Sequence, residues 1–161
     1  RGLSAITNPI NSYKRICPGN EAPAYIAWSR GNRSPLISVP GTRPDNTHIE
    51  LRNPDPSMNP YLAIAGILAA GLDGIRRGLK PGPATEKNLC VLSEEECAAL
   101  GLKRLPDSLS AAIAELNADP LLLSVLGEHI SSKYIRSKTR EIDDYLAYVT
   151  DWEVNQYLHK F

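Results

Sequence analysis

Cysteine is scarce in this sequence. Cys17, Cys90 and Cys97 are the only three, an odd number at spacings that match no paired metal-ligand pattern. That excludes a disulfide framework and a cysteine-built metal site, and it reads as reduced thiols in an intracellular protein. An excess of charge of either sign is lacking too: 18 Lys and Arg balance 18 Asp and Glu. No whole-molecule field therefore selects a nucleic acid or an anionic membrane, and neither is expected as a partner. Long hydrophobic runs are missing, since the longest apolar stretch, 61–72, is too short to span a bilayer. The opening Arg1-Gly-Leu-Ser4 carries no signal peptide. Methionine occurs once, at Met58, and a chain that begins on arginine is expected to be a piece of a longer protein.

Turn formers are plentiful, with 13 prolines and 11 glycines among 161 residues, a length suited to one domain with its own core. Residues 8–23 hold three prolines, a glycine and three asparagines, so turn chemistry makes them a shaped loop carrying Arg15 and Glu21. Residues 24–29 and 36–39 are aromatic and β-branched enough for strands. Their connection, Arg30-Gly-Asn-Arg-Ser34, predicts a hairpin with arginines at its tip. Those arginines are either solvated or presented as donors to phosphate or carboxylate. A further turn at 40–46 leads into the strand 47–52. There His48, Glu50 and Arg52 share one face, while Ile49 and Leu51 share the other and bind the strand to the core. Glu50 and Arg52 then lie about 7 Å apart along the strand. Spacing alone leaves them as an ordinary ion-pair face or as part of a site.

Asn59 as N-cap and Pro60 in the first turn predict a helix over about 60–77, ended by Gly78 and the Pro81-Gly-Pro83 break. Ala, Ile and Leu at nearly every position from 62 to 72 predict that it is buried on most sides. Ser93 with Glu96 predicts a capping box for a short helix ending at Gly101. Asp107 or Ser108 starts a second helix with Leu109, Ile113 and Leu116 on one stripe, and Asp119-Pro120 starts a third. A polar helix runs from about Glu128 toward Val149. Thr150 with Glu153 caps a last one, whose Val154, Tyr157, Leu158 and Phe161 either pack on their own domain or contact another subunit. The fold class expected is α+β: a short antiparallel sheet (about 24–52) backed by the buried helix (about 60–77), then a helical C-terminal region.

Five runs, taken together, resemble a known family. They are Asn8-Pro-Ile-Asn-Ser-Tyr-Lys-Arg15, Pro18-Gly-Asn-Glu-Ala-Pro23, Asn32-Arg-Ser34, Glu50-Leu-Arg-Asn-Pro-Asp-Pro-Ser-Met-Asn-Pro-Tyr-Leu62 and Ala69-Ala-Gly-Leu-Asp-Gly-Ile75. In this order they are similar to the C-terminal part of the catalytic domain of type I glutamine synthetases. The resemblance implies that 1–161 is the C-terminal portion of one such domain, with loops, strands and site residues in 1–57 and mostly helices in 58–161.

The activity it implies is ATP-dependent joining of glutamate and ammonia through a γ-glutamyl phosphate. By the same resemblance Arg15 and Arg52 hold the glutamate substrate. Arg33 contacts glutamate and ATP and stabilises the phosphoryl group in transfer. Glu21, on the loop that closes over the site, touches substrate and takes a proton from bound ammonium. Glu50 is one ligand of a divalent metal, Mg²⁺ or Mn²⁺, of which the full enzyme holds two. The partners implied are glutamate, ammonia and ATP, a dodecamer of two hexameric rings, and a cytoplasmic location.

This chain alone carries too few metal ligands to work. Three positions depart from the family pattern. Ser38 stands where an arginine for ATP phosphates is common, His48 where a basic residue is usual, and Cys90 where regulated members carry a tyrosine for adenylylation. The alternatives are a ligase for another amine, such as methylamine or a polyamine, and a catalytically silent structural relative.

Overall fold

The structure, a computed structural model, describes residues 1–20, 22–40, 48–158 and 160. Glu21, all but the first residue of the turn expected at 40–46, the first residue of the strand expected at 47–52 and the end of the C-terminal stripe at Phe161 lie outside the described residues. The chain opens with α1 (Leu3–Thr7) and a 3₁₀ turn at Ile10–Lys14 inside the segment read as loop. Among the described residues five two-residue strands follow: β1 (Tyr25–Ile26), β2 (Trp28–Ser29), β3 (Ile37–Ser38), β4 (Glu50–Leu51) and, after two helices, β5 (Lys103–Arg104). The helices are α2 (Pro60–Arg76), α3 (Glu94–Ala99), α4 (Leu109–Asn117), α5 (Pro120–Ala147) and α6 (Asp151–Tyr157). The protein is thus α+β, with small sheets and a helical C-terminal region.

Local polar chemistry explains where the helices begin. The Asn59 side chain accepts hydrogen bonds from the backbone N–H groups of Tyr61 and Leu62, and Pro60 needs no donor there. Ser93/Glu96 and Thr150/Glu153 are complete capping boxes, and Ser108 and Asp119 cap α4 and α5. α2 stops at Gly78, whose φ of 62° suits glycine. α5 is broken at Gly127 (φ 73°, ψ 158°), which divides it into the third helix and the polar helix expected from Glu128. That backbone region is open to glycine almost alone, so Gly127→Ala should cost about 1–3 kcal/mol. It should lower the urea unfolding midpoint, whereas an unchanged midpoint would mean that the break is not fixed by this residue.

Among the described residues three apolar clusters make the core. The largest joins Ala5 and Ile6 of α1, Tyr13, the Leu109/Ala112/Ile113/Leu116 stripe of α4, and Leu122, Leu126 and Ile142 of α5. Gly66 lets α2 approach it, because a Cβ there would stand 2.8 Å from the side chains of Ile6 and Leu3. The Tyr134 hydroxyl donates to the Ala5 carbonyl at 2.8 Å, and burial pushes its pKa up to about 12, so it keeps that proton at working pH. A second cluster holds Ala24, Tyr25, Leu89 and Cys97. The third holds Ile16, Leu36 and Leu105, with Leu51 against them.

Four expectations need correction. The 24–29 strand is divided at Ala27, so β1 pairs antiparallel with the distant β5 while β2 joins β3 and β4. The β2–β3 pair is parallel, with Trp28 beside Ile37 and Ser29 beside Ser38, so it is not a hairpin; only β3–β4 is antiparallel. A parallel return usually needs a dozen residues or more. Two-residue strands require the chain to double back only about 7 Å, which the seven-residue link allows. α2 is helical as expected but not buried on most sides: Ala63 and Gly66 are covered, whereas Tyr61 is 85% and Ile75 77% exposed. Its all-round apolar surface asks for cover that α1 and α5 supply along one stripe only. Ile49 is 71% exposed and leaves Leu51 to anchor its strand.

In α6, Trp152, Val154, Tyr157 and Leu158 are all exposed. Among the described residues no single helix is long and apolar enough to cross a membrane.

Candidate active site

The arginines are placed by two turns and a strand that are stitched together. The 3₁₀ turn 10–14 ends at Arg15, whose Nη2 donates to the Asn53 carbonyl at 3.2 Å. Asn53 is buried, and its amide reaches Ser4 Oγ and Thr7 Oγ1 at 3.4 and 3.5 Å. Two residues on, the Asp55 carboxylate accepts from the Ser12 hydroxyl and from the Ser57 hydroxyl and N–H. The Ser12 and Ser57 bonds hold the Asp55 pKa below the usual carboxylate range, so the stitch is an ionised one. Asp55 N–H also donates to the Thr7 carbonyl at 2.9 Å. These bonds bring Arg15 to the residue that follows Arg52.

Arg52 continues the β4 ladder, its N–H donating to the Leu36 carbonyl at 3.0 Å. Its Nη1 is buried and has no hydrogen-bond partner among the described residues. Arg33 stands exposed on the loop between β2 and β3. Arg33 and Arg52 line one open cleft of about 400 Å³ with Asn32, Ser34, Asn88 and Cys90. Among the described residues no carboxylate lines it, and none of Arg15, Arg33 and Arg52 takes part in an ion pair with another of them. Two guanidiniums without counter-charges in a shared cleft can bind an anion with two forks of donors.

Glu50 lies on β4 opposite Ser38, which is buried on β3. The Glu50 carboxylate meets His48 Nε2 at 3.4 Å, so these two do share a face. A divalent cation needs several oxygen or imidazole donors. No group of three His, Cys, Asp or Glu able to hold one occurs among the described residues. The residues present therefore do not complete a metal site, and Glu50 could be one ligand at most.

Of the expected residues, the structure brings Arg33 and Arg52 together, seats Arg15 on the carbonyl next to Arg52, and puts Glu50 two positions along the same strand. Cys90 lines the same cleft and donates its thiol to the Asn20 carbonyl at 3.1 Å. Sequence reading missed two carboxylates that shape this site. Asp55 was signalled by Asp-Pro-Ser, a turn whose side chain binds the backbone two residues on. Glu86, which binds the Arg33 loop, carried no local signal.

Comparison with known proteins agrees with this picture. The family model described as glutamine synthetase, catalytic domain, matches residues 1–157. Glutamine synthetase of Thermotoga maritima is 47% identical over 160 residues, which is 99% of this chain and 36% of that protein. The glutamine synthetase of Methanocaldococcus jannaschii is 50% identical over 159 residues, 98% of this chain and 35% of that one. A solved structure of GmaS without ligand superimposes with a TM-score of 0.82 at 36% identity, over 98% of this chain and 35% of its own. A GmaS/ADP complex does so with a TM-score of 0.83 at 34% identity, over 98% and 36%. The chain spans about a third of the length of the relatives it matches. Matched almost from end to end over that third, this chain belongs to the glutamine synthetase catalytic-domain family.

Proposed function

We propose that the chain is the C-terminal portion of the catalytic domain of an ATP-dependent glutamate–ammonia ligase, with site residues in 1–57 and mostly helical support in 58–161. The observation that carries this reading is the cleft shared by Arg33 and Arg52, two guanidiniums without counter-charges among the described residues, one of them with a buried nitrogen that has no hydrogen-bond partner among them. Arg15 and Arg52 would clamp the carboxylates of glutamate, where a planar fork matches the acceptor geometry.

A γ-carboxylate oxygen attacks the γ-phosphorus of ATP and ADP leaves, giving γ-glutamyl phosphate. Arg33 balances charge on the phosphoryl oxygens as they pass from one oxygen to the other. Glu21 takes the proton from ammonium, and the neutral amine attacks the acyl carbon; the C–O bond to phosphate then breaks with its electron pair passing to the phosphate oxygen, which takes up the second proton lost by the new amide nitrogen. A divalent cation, Mg²⁺ or Mn²⁺, would neutralise phosphate charge; Glu50 offers it one oxygen, and its other ligands would come from the remainder of the protein. ADP in the GmaS complex supports nucleotide binding by this fold. The same reading carries a cytoplasmic dodecamer, and the exposed apolar faces of α2 and α6 are consistent with further protein surface against them.

A second reading, ligation of glutamate to methylamine or a polyamine, is compatible with the likeness to GmaS. Full-length protein assayed with ATP, Mg²⁺ and ammonia, methylamine or a polyamine decides between them by which amine raises kcat/KM. The isolated 161-residue chain is expected to give no glutamine under the same conditions. Turnover from it would overturn the requirement for ligands outside this chain.

A further inference from the structure

The loop that carries Arg33 owes its shape to a segment more than fifty residues away. One oxygen of Glu86, Oε2, accepts from Ser29 Oγ at 2.8 Å and from Gly31 N–H at 3.1 Å, and Oε1 accepts from Arg30 N–H at 3.3 Å. Ser29 Oγ in turn accepts from the N–H groups of Gly31 and Asn32, both at 3.1 Å. The Asn32 amide donates to the Thr85 and Lys87 carbonyls on either side of Glu86, at 2.9 and 3.3 Å. Asn32 Oδ1 holds Ser34 through its N–H and hydroxyl, and the Leu89 N–H donates to Ser34 Oγ at 2.8 Å. In the run 29–34 Arg33 and Pro35's neighbour Ser34 differ sharply: Ser34 is tied, while Arg33 makes no hydrogen bond among the described residues.

Gly31 belongs to the same device, because a Cβ there would stand 2.8 Å from Glu86 Oε2. A carboxylate collecting two N–H groups and a hydroxyl is worth more than a neutral acceptor, since charge strengthens each bond. The Ser29 hydroxyl and the Arg30 N–H accordingly hold the Glu86 pKa below the usual carboxylate range. Such a fixed frame around one free side chain has a catalytic rationale: the donor must already stand where charge develops.

We infer that Glu86 is a positioning residue, which holds the loop 29–34 so that the unbonded Arg33 guanidinium points into the cleft it shares with Arg52. The inference rests on the reading of Arg33 as the group that meets the phosphoryl oxygens.

The test is steady-state kinetics on the full-length protein carrying Glu86→Ala, Arg33→Ala, or both. Misplacing a catalytic group by about 1 Å costs up to about 100-fold, so Glu86→Ala should lower kcat by about 10–100-fold and leave KM for glutamate within about twofold. In the Arg33→Ala background, Glu86→Ala should cause no further loss, because it acts through that side chain. Undiminished kcat in Glu86→Ala, a loss confined to KM, or losses that multiply in the double variant would each overturn the inference. Should Arg33→Ala itself keep full turnover, the reading of Arg33 fails and the inference with it. If Arg33→Ala is impaired and Glu86→Ala is not, the inference alone fails. Glu86→Gln, of nearly the same shape and without the charge, carries the same comparison if Glu86→Ala does not fold, with a smaller fall in kcat expected.

Discussion

If Arg33 meets the phosphoryl group as proposed, Arg33→Ala in the full-length protein should lower kcat for glutamine formation by about 10³–10⁵-fold, the range measured for arginines in that role. The magnitude follows from where the charge lies. In the loose transition state of phosphoryl transfer the negative charge is spread over the equatorial oxygens, and a preorganised guanidinium offers several donors to them at once. Arg33 is placed to do this, since among the described residues it has no carboxylate partner and its flanking residues are bonded while it is not. Arg33→Lys should recover little of the rate, because a point charge replaces a planar fork. ATP hydrolysis and glutamine release, followed separately, would show whether both half-reactions fall together. A variant that kept its turnover would remove Arg33 from the chemistry.

Leu116→Ala should have the largest effect on stability, about 2–5 kcal/mol. Leu116 is 0% exposed, lies where α1, α4 and α5 meet, and belongs to the largest apolar cluster. Removing its side chain loses the transfer free energy of the buried carbons and opens a cavity that the surrounding helices close only partly. Natural domains are stable by roughly 5–15 kcal/mol, so this one change would remove a large part of the total. Urea denaturation should show a lower midpoint with the slope kept. Leu146→Ala, at a site 74% exposed, should stay within about 0.5 kcal/mol and serves as the control. Equal effects in the two variants would mean that the helical cluster is not the main source of stability.

Helix ends were legible because their causes are local. Asn59-Pro60, Ser93 with Glu96, Ser108, Asp119-Pro120 and Thr150 with Glu153 each satisfy backbone donors within three residues, and all five act as starts. The Leu109/Ile113/Leu116 stripe was legible for a similar reason, the helical period. Strand partners were not. Tyr25 pairs with Arg104, and nothing near Tyr25 announces it. The parallel course of β2 and β3 depends on a loop shaped by Glu86, again out of local reach. For α2 the composition stated a need for cover without naming its source, and this chain supplies only one side. The site was legible to the extent that family motifs carry side-chain types: Arg33 and Arg52 meet in one cleft, whereas the Ser12–Asp55 and Glu86 contacts that brace it join residues too far apart in sequence to be read together.

The docking of α1 has a further consequence, for the order of events during synthesis. Residues 3–7 find their partners in α4 and at Tyr134 of α5. At the ribosomal pace of about 5–20 residues per second, Tyr134 follows Ala5 by on the order of 10 s. For most of that interval Ala5 and Ile6 have no α4 to lie against, since it is made only shortly before Tyr134, and their closure waits for a bond between residues far apart in the chain, the kind that slows folding. The nascent segment therefore carries unpartnered apolar side chains in need of shelter, which makes this short helix a natural handle for a chaperone.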